Sequence, residues 1–310
     1  MTVLVLTSAQ DVTADLVVAE LHEQGVPLVR FDPADLPGEV ALSTEYVRGE
    51  FRGYLSTGGR VASVDALRSV WVRRPGGAAA HAEEPSAWLA EETDHALYGM
   101  LDSTDARWMN HPSAAARARR KTWQMRVAHR SGFPVPATLV TTYPAMARRF
   151  AEQYRHVVVK SVSGKSPGDP PMALPTTLVP PDADFSGVAA GPTLFQRYIA
   201  KRADIRLTSI GDTHFAARKT AEAGQVDGRF GDTGHSWQPV DVPPQVARAV
   251  ERYKRHASLA YGAFDFAEEE QTGTWWFLEC NQGGQFGFVE LDTGQPLART
   301  VAEWLAAEPG

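Results

Sequence analysis

The sequence is poor in cysteine, with Cys280 as the only one among 310 residues. A single thiol excludes an internal disulfide and a cysteine-based zinc site, and it is typical of a reducing compartment, so we expect a cytoplasmic protein. Long hydrophobic runs are missing too. No stretch approaches the roughly 20 apolar residues that span a bilayer, and "MTVLVLTSAQD" lacks the basic leader of a signal peptide. We therefore expect no membrane partner.

Basic residues are the minority among the charges, since 31 Lys and Arg face 37 Asp and Glu and give a net charge of -6. This balance argues against a general nucleic-acid-binding protein. Two familiar nucleotide motifs are also absent: "GxGxxG" and "GxxxxGK[ST]" do not occur, so neither a Rossmann dinucleotide site nor a Walker-type NTPase is indicated. What remains is a globular chain, 43% hydrophobic, long enough for two or three domains.

The apolar pattern predicts an α/β domain at the N-terminus. "TVLVLTS", "DVTADLVVAELHEQG" and "VPLVRFD" are typical of strand, helix and strand. The alternating stretches "ALSTEYV" and "EFRGYL", and the strand "SVWVRRP", are predicted to complete its sheet. A helix is predicted near residues 86–103, and another is predicted to start at the cap Ser113 and end at Gly132. The Pro- and Gly-rich stretch 164–181 is predicted to be a mobile loop.

Near the C-terminus, "AFDFAEEE" and "TWWFLECN" flank "QTG" and predict a β-hairpin with "QTG" as its loop. That register places Asp265 opposite Glu279, with Asn281 on the same face and Cys280 on the other as a small buried hydrophobe. Facing carboxylates repel unless a cation lies between them. An all-oxygen set suits Mg²⁺, which takes further ligands from nucleotide phosphates. The alternative is a solvated acidic surface, which residues 268–270 would extend.

Two lysines are candidates for binding the phosphates. Lys160 ends the apolar run "HVVVK" before a loop that contains Gly164, and Lys121 lies on the helix before it. Backbone N–H groups of such a loop can cover phosphates. The alternative for either lysine is an ordinary solvated side chain.

A basic hairpin and a connector follow. "DIRLTSI" and "THFAARK" are joined by Gly211 and Asp212, a two-residue turn signal, and the alternative for this hairpin is an exposed, charge-rich surface. The run "TLFQRYI" is predicted to connect two lobes and to give adenine backbone hydrogen bonds and an apolar slot. The basic residues of the hairpin are Lys201, Arg206 and Arg218, and the connector residues are Gln196, Arg197, Tyr198 and Ile199.

In this order the residues resemble the ATP-grasp superfamily, in which two α+β lobes hold Mg-ATP between them. More narrowly, "YIAKRADIRLTSIGDTHFAARK", "DGR", "LAYGAFDF" and "WWFLECNQGGQFGFVELDTGQPLARTVAEWL" are similar to the ATP-grasp ribosomal peptide maturases that make microviridin-type products, the graspetide synthetases. Two details depart from the family: "ECNQGGQ" lacks a proline and "DGR" lacks a tryptophan. The resemblance implies an α/β and α+β chain with a pre-ATP-grasp α/β domain at 1–112, a central lobe at 113–199 and a C-terminal lobe at 200–310.

The resemblance also implies ATP and Mg²⁺ as cofactors and a ribosomal precursor peptide as partner, with a leader and an acidic core that contains Thr, Ser or Lys. Asp or Glu side chains of the core would be activated as acyl phosphates and joined to Thr, Ser or Lys in ester or amide macrocycles. The implied roles are phosphate binding by Lys121 and Lys160, Mg²⁺ binding by Asp265, Glu279 and Asn281, and stabilisation of the acyl phosphate by Arg218, Arg206 and Lys201.

Other interpretations stay open at this stage. The irregular residues 219–240 are either a docking surface for the leader, with Asp227, Arg229 and Trp237 as contacts, or an ordinary connecting loop. The same fold also serves ligases for free amino acids or small peptides, and a small-molecule kinase that leaves a stable phosphate ester is a further alternative. A homodimer is a possible assembly, and no nucleic-acid partner is expected.

Overall fold

The computed structural model describes residues 1–164, 174–222, 224–228 and 236–308. The elements of the N-terminal part are β1 (Thr2–Leu6), α1 (Val12–Glu23), β2 (Leu28–Phe31), β3 (Val40–Val47), β4 (Glu50–Thr57), β5 (Arg60–Ser63), β6 (Leu67–Val72), α2 (Ala87–Asp102) and β7 (Arg107–Met109). A parallel sheet in the order β2-β1-β6-β7 forms its centre, which confirms the predicted α/β pattern. Asp11 caps α1 with its side chain, and Gly25 ends the helix with a positive φ.

The stretches "ALSTEYV" and "EFRGYL" do not join this sheet, so that prediction is wrong. They supply β3 and β4, which form a separate antiparallel sheet with β5. Tight turns link the three strands, and the turn glycines Gly49, Gly58 and Gly59 have positive φ values. Strands joined by tight turns run antiparallel, whereas a parallel sheet needs a long crossover connection. "SVWVRRP" supplies β6, which lies beside β1 as expected.

The helix predicted from Ser113 to Gly132 is in fact two helices. They are α3 (Pro112–Ala118) and α4 (Lys121–Ser131). The predicted cap is wrong, because the ring of His111 accepts the N–H of Ser113 at the start of α3. The predicted end is confirmed, since Gly132 closes α4 with φ 95°. The break between the helices makes Lys121 the first residue of α4.

The central part is a second, antiparallel sheet. Its elements are β8 (Thr138–Thr141), α5 (Pro144–Tyr154), β9 (Val157–Lys160), β10 (Thr177–Leu178) and β11 (Thr193–Arg197), with strand order β10-β9-β11-β8. The loop predicted at 164–181 is wrong where it includes β10, and residues 165–173 lie outside the described residues. The first five residues of "TLFQRYI" are β11 and not a connector, because they pair with β9 and β8 along their length.

The C-terminal part is an antiparallel sheet flanked by helices. Its elements are β12 (Lys201–Ile210), β13 (Thr213–Thr220), β14 (Gln238–Val240), α6 (Pro244–Ala257), β15 (Tyr261–Glu269), β16 (Trp275–Asn281), α7 (Gly287–Thr293) and α8 (Leu297–Ala306). The strand order is β14-β13-β12-β15-β16. The predicted two-residue turn between β12 and β13 is confirmed, and Gly211 there has φ 50°. No helix in the described part of the chain is long and apolar enough to cross a membrane.

The hairpin of β15 and β16 has the predicted pair but not the predicted loop. Asp265 pairs with Glu279. The Glu269 N–H donates to the Thr274 carbonyl at 2.9 Å, so the loop holds residues 270–273 and one residue more than "QTG". The register then shifts by one residue next to Asp265. This bulge compensates for the longer loop and restores the predicted partner.

The C-terminal sheet is covered on both faces by different parts of the chain. One face, with Ile205 and Phe264, packs on α4 and α6. The other face, with Ala217 and Ala263, packs with residues of α1, α7 and α8 in a second core. Helices from residues 112–131 therefore belong to the core of the C-terminal sheet, and α8 packs against α1 near the N-terminus. The division at residues 112 and 199 stays a prediction, and these cores cross it.

Asn110 links three segments of the chain by hydrogen bonds. Its buried side chain accepts the N–H groups of Ala260 at 2.7 Å and of Tyr261 at 3.0 Å. Its Nδ2 donates to the carbonyl of Tyr261 at 2.8 Å and to that of Gln282 at 2.9 Å. One amide thus satisfies backbone groups at the start of β15 and in the loop after β16, which would otherwise be buried without partners.

We expect Asn110→Ala to lower the free energy of unfolding by about 2–4 kcal/mol, because buried backbone groups lose their partners. Urea unfolding followed by circular dichroism measures the change. The matched control is Gln10→Ala, which removes an exposed amide and should change stability by less than about 0.5 kcal/mol. Equal stability of the two variants would contradict this role of Asn110.

Candidate active site

Two carboxylates and an amide meet on one face of the C-terminal sheet. The Asn281 Nδ2 lies 3.1 Å from an Asp265 oxygen and 3.3 Å from a Glu279 oxygen. Cys280 points to the other face and is fully buried, as predicted. In the described part of the chain, no group of three or more His, Cys, Asp and Glu side chains could hold a metal ion. The set is therefore two carboxylates completed by the amide of Asn281.

Lys121 places a cation on the first carboxylate, because its Nζ lies 2.5 Å from a Glu279 oxygen. Burial raises the pKa of Glu279, but the charges of Lys121 and Lys160 and the hydrogen bonds of Lys121 and Asn281 outweigh it and lower that pKa to about 2. Glu279 is thus ionised at every physiological pH. The structure places Lys121 on a predicted metal ligand, and its binding of phosphates stays a prediction.

Gln124 explains why α4 delivers Lys121 to this point. β16 is an edge strand, and the Gln124 side chain accepts the Cys280 N–H at 3.0 Å and donates to the Cys280 carbonyl at 3.1 Å. Gln124 lies about one helical turn after Lys121, so these bonds hold Lys121 beside Glu279. Sequence reasoning missed Gln124, because the contact joins residues 156 positions apart.

Arg206 places a cation on the second carboxylate. Its Nη1 donates to both oxygens of Asp265, at 2.7 and 2.9 Å, and its Nη2 donates to the Gln285 carbonyl at 2.9 Å. Burial and the nearby Glu279 raise the pKa of Asp265, while Arg206 opposes that rise. The structure thus places Arg206 in the same sheet as the carboxylates and on their face, as a partner of Asp265.

Lys160 forms no ion pair with either carboxylate, and its Nζ lies 2.9 Å from the Oε1 of Gln196. Burial, together with the like charge of Lys121, lowers the pKa of Lys160 to about 8. The Gln196 amide is fixed in turn by the Thr138 hydroxyl at 3.0 Å. A lysine whose hydrogen-bond partner is a neutral amide is well suited to accept an anion, because no carboxylate must be displaced first.

Arg218 is not on this face, which corrects the prediction for it. Residues paired across antiparallel strands point to the same side, and Arg218 pairs with Ile205, a core residue of the face under α4 and α6. Its Nε lies 2.7 Å from Glu268, which also holds Arg202 at 2.6 Å. Glu268 is accordingly buried, and not part of a solvated acidic surface. The alternation of side chains along β13 explains the difference.

The face that carries Asp265, Glu279 and Asn281 is called the active face below. Lys219 is the basic residue of β13 on it. It pairs with Asp204, which lies on the same side as Arg206 because the two are separated by two positions on β12. Sequence reasoning chose its neighbour Arg218, and only the strand register distinguishes the two. The predicted Lys201 also reaches this face, where its Nζ contacts both oxygens of Asp204, at 2.6 and 2.9 Å.

The segment after β13 covers the start of β12. Lys201 Nζ donates to the Val226 carbonyl at 3.2 Å, and an Asp227 oxygen accepts the Thr176 N–H at 2.8 Å. Asp227 therefore links the central part to the C-terminal part. Trp237 lies elsewhere, with its ring centroid 6.0 Å from that of Phe288. Arg229, the third predicted contact of this region, lies outside the described residues.

Backbone N–H groups of the predicted adenine connector already donate to carbonyl groups of the protein. The N–H of Arg197 donates to the Ala137 carbonyl at 2.8 Å, and that of Tyr198 donates to the His156 carbonyl at 2.9 Å. Ile199 is buried, and among the described residues its N–H has no backbone partner. Of the predicted connector residues, Ile199 is therefore the available N–H donor. Trp276 flanks this segment, with the Arg197 guanidinium 5.4 Å from its ring centroid.

Gly164 begins the loop beyond Lys160. It has φ 81°, a conformation that favours glycine, and its N–H donates to the Ser161 hydroxyl at 2.9 Å. The described part of this loop therefore turns tightly after β9, four residues beyond Lys160. The remainder, from residue 165 to 173, lies outside the described residues.

The loop after Asn281 is clamped from several sides, a feature that sequence reasoning missed. Arg73 of the N-terminal part donates to the carbonyls of Gly283 and Gly284, and the Tyr261 hydroxyl donates to the Gly284 carbonyl at 2.7 Å. A Cβ on Gly284 would lie 2.6 Å from that of Ala263 and 2.9 Å from Arg206. Glycine is thus required where this loop passes the carboxylates.

These residues fit ATP and Mg²⁺. A half-turn of the Asn281 amide would present three oxygen ligand groups, which suit a hard divalent cation. The buried Nε of Arg206 has no hydrogen-bond partner in the described part of the chain, so the site carries unused donor capacity. Asp265, Glu279 and Asn281 would hold the metal, and Lys121 and Lys160 would contact the phosphates.

Comparisons with known proteins agree with this geometry. Residues 2–116 match the family model described as the MvdD pre-ATP grasp domain. A RiPP-associated ATP-grasp ligase from Chryseobacterium gregarium, solved with ADP and a leader and core peptide, is 25% identical, with 98% of this chain and 96% of that chain covered and a TM-score of 0.85. The macrocyclase MdnC from Microcystis aeruginosa MRC, solved with the precursor peptide MdnA, is 26% identical, with 99% and 100% covered and a TM-score of 0.85.

A further structure shows the same fold at lower identity. The macrocyclase MdnB from Microcystis aeruginosa MRC is 24% identical, with 98% of each chain covered and a TM-score of 0.80. The comparison with curated proteins gives no match. The fold is that of the RiPP-associated ATP-grasp ligase over nearly the whole of both chains. Residues 2–116 carry the pre-ATP-grasp match, and the chain as a whole resembles the ATP-grasp maturases of ribosomal peptides in fold, which confirms the predicted resemblance and fold class.

The low pKa of Lys160 predicts a pH-dependent affinity for ADP. Lys160 is charged below about pH 8 and neutral above it, so binding above that pH must first add a proton. We expect the affinity for ADP, measured by calorimetry, to fall as pH rises from about 7 to about 9. The control Lys160→Arg stays charged throughout and should flatten the profile. Superimposable profiles for the two proteins would show that Lys160 does not bind phosphate.

Proposed function

We propose that the chain is an ATP-dependent ligase that activates Asp or Glu side chains of a ribosomal precursor peptide and joins them to Thr, Ser or Lys side chains. One observation carries the proposal: the Asp265–Glu279–Asn281 set lies on one face, with Arg206 and Lys121 already on the carboxylates. The similar proteins named above, solved with ADP, a leader and core peptide, or a precursor peptide, support the choice of nucleotide and substrate.

The proposed reaction has two balanced steps. An oxygen of the substrate carboxylate bonds to the terminal phosphorus of ATP as the bond to ADP breaks, which gives an acyl phosphate. The acceptor hydroxyl or amine then bonds to the acyl carbon, phosphate leaves, and the acceptor proton passes to solvent. Bound Mg²⁺ would neutralise phosphate charge, as in other phosphoryl transfers. One water is lost from the peptide for each ester or amide formed.

The position of each residue indicates its role in this reaction. Lys121 and Lys160 approach from α4 and β9 and would bind the phosphates, and Gly164 supplies a tight turn shortly after β9. Ile199 would donate its N–H to adenine. From the opposite sheet, Arg206 and Lys201 would hold the substrate carboxylate or its acyl phosphate, since cations placed where negative charge develops stabilise it. Lys219 takes the place that the sequence had suggested for Arg218.

Specificity for a peptide depends on an open approach to this face. Trp237 and Phe288 form an aromatic pair beside Arg206, whose guanidinium carbon lies 5.9 Å from the Phe288 ring centroid. Phe288 is 40% exposed, so an apolar side chain of the peptide could pack on it. This contact supports a role for Trp237 near the core peptide and leaves the leader to another surface. ATP, Mg²⁺ and a precursor peptide are the partners that this proposal requires.

Mass spectrometry of the product tests the proposal. The enzyme is incubated with Mg-ATP and an acidic, Thr/Ser-rich precursor peptide encoded by a short gene beside its own. We expect a product that has lost one water per bond formed, with ADP and free phosphate released together. A product that has gained a phosphate ester, with no free phosphate, would replace the ligase by the kinase alternative.

Glu279→Gln should reduce turnover by about a hundredfold or more, because the change removes a charge from the metal set. The fold should survive, since the side chain is isosteric. The matched control is Glu270→Gln, the same chemical change at an exposed position of the hairpin loop. Initial rates of phosphate release measure both variants. Comparable activity in Glu279→Gln and the control would remove Glu279 from the site.

Neighbouring variants on β13 test the corrected position of the cation. We expect Lys219→Ala to lower kcat/KM by about tenfold or more, since it removes a cation from the active face. Arg218→Ala should leave kcat/KM nearly unchanged and lower the thermal midpoint, because Glu268 loses a partner. The reverse pattern would return the role to Arg218.

A further inference from the structure

A long part of the sequence contains no acidic residue, although the chain as a whole is acidic. Between Asp105 and Glu152 there is no Asp or Glu, while nine Lys and Arg occur. The net charge of the chain is -6. Positive charge is therefore concentrated in one segment, which includes α3 and α4. Such segregation predicts a local positive potential on a negative molecule.

Three of these nine basic residues line one cleft. The helices α3, α4 and α6 enclose a cavity of about 320 Å³, which we call the basic cleft, and its lining residues are Arg117, Trp123, Arg126, Val127, Arg130 and His256. Among the described residues, no acidic side chain lines it. Arg126 and Arg130 are four positions apart, so they project from the same side of α4. The cleft thus presents several cationic groups to one occupant.

These arginines are not used elsewhere in the described part of the chain. Arg117, Arg126 and Arg130 are exposed, and none of them lies within ion-pair distance of a described Asp or Glu. The guanidinium carbon of Arg117 lies 4.8 Å from the Trp123 ring centroid, which orients it beside the cleft. By contrast, Arg202, Arg206 and Arg218 all hold carboxylates.

The basic cleft is separate from the active face. α4 buries Gln124, Val127 and Ala128 toward the sheet, and Gln124 contacts β16, the strand of Glu279 and Asn281. Arg126 and Arg130 lie on the exposed side of the same helix. Their Cα atoms are about 8 and 14 Å along the axis from Lys121 at 1.5 Å per residue. An occupant of the cleft would not contact the carboxylates of the site.

We propose that the basic cleft docks an acidic segment of the peptide substrate, away from the reacting side chains. Guanidinium groups bind carboxylates with matched geometry, and a cleft of this size admits two or three carboxylate side chains better than a continuous polyanion. The acidic remainder of the molecule repels a long nucleic acid. The proposal rests on the proposed function for its choice of a peptide substrate.

Fluorescence anisotropy of a labelled peptide tests the cleft without ATP or turnover, so it is independent of whether ligation occurs. The probe is a 12-residue peptide in which Asp and Glu alternate with Gly and Ser, and its control has Asn and Gln in place of the acids. We expect the full chain to bind the acidic peptide and not the Asn/Gln control. Binding of the acidic peptide should weaken as the NaCl concentration is raised. Failure of the acidic peptide to bind would overturn the proposal.

The double variant Arg126→Glu/Arg130→Glu should weaken binding of the acidic peptide by roughly tenfold or more, because two attractive contacts become repulsive. The matched control, Arg60→Glu/Arg149→Glu, makes the same change of charge at exposed positions away from the cleft and should weaken binding by less than about threefold. Equal losses would show that only net charge matters and would overturn the proposal.

Two further measurements separate the remaining outcomes. Duplex DNA that competes with the peptide, and that loses affinity in the cleft variant alone, would make the surface a nucleic-acid site and overturn the proposal. With a precursor peptide that is converted, the cleft variant should raise KM and leave kcat unchanged, because the cleft positions the peptide and does not touch reacting atoms. A fall in kcat with KM unchanged would contradict a docking role.

Discussion

The structure of the active face depends on one electrostatic constraint: two carboxylates lie opposite each other on paired strands. Asp265 and Glu279 carry like charges and would repel each other across the paired strands, so each must be offset by a cation. Arg206 supplies one from the neighbouring strand, and Lys121 supplies the other from α4. The helix is held by Gln124, and the loop beyond Asn281 is held by Asn110 and Arg73. Much of the packing around the sheet therefore keeps charges in place around this pair.

Local chemistry predicted the elements that carry the site. Alternation on "TWWFLECN" and the turn signal of "QTG" gave the pair Asp265–Glu279, and the run "HVVVK" gave the strand that presents Lys160. The pair was correct although the loop was not, because a one-residue bulge compensates for the longer loop. Patterns of period two predict faces and partners well when the strands are adjacent in sequence. They do not predict bulges, which depend on packing.

Contacts between distant segments could not be predicted. Gln124 and Asn110 act on residues more than 150 positions away, and nothing near them in the sequence indicates an edge strand or a buried loop. The prediction for Arg218 was wrong for a different reason. Its neighbour Lys219 is equally basic, and only the register of β13 on β12 decides which of them lies on the active side. The separate sheet of β3, β4 and β5 likewise depends on turns that pair these strands with each other.

The proposed function requires a metal ion beside two carboxylates that Arg206 and Lys121 already neutralise. Crystals grown with Mn²⁺ and a non-hydrolysable ATP analogue test it most directly, because the anomalous scattering of manganese locates the ion without assumptions about its ligands. The account predicts an anomalous peak about 2.0–2.6 Å from oxygens of Asp265, Glu279 and Asn281, with the Lys121 ammonium moved from Glu279 to a phosphate oxygen. A peak elsewhere, with the Lys121–Glu279 ion pair intact, would contradict it.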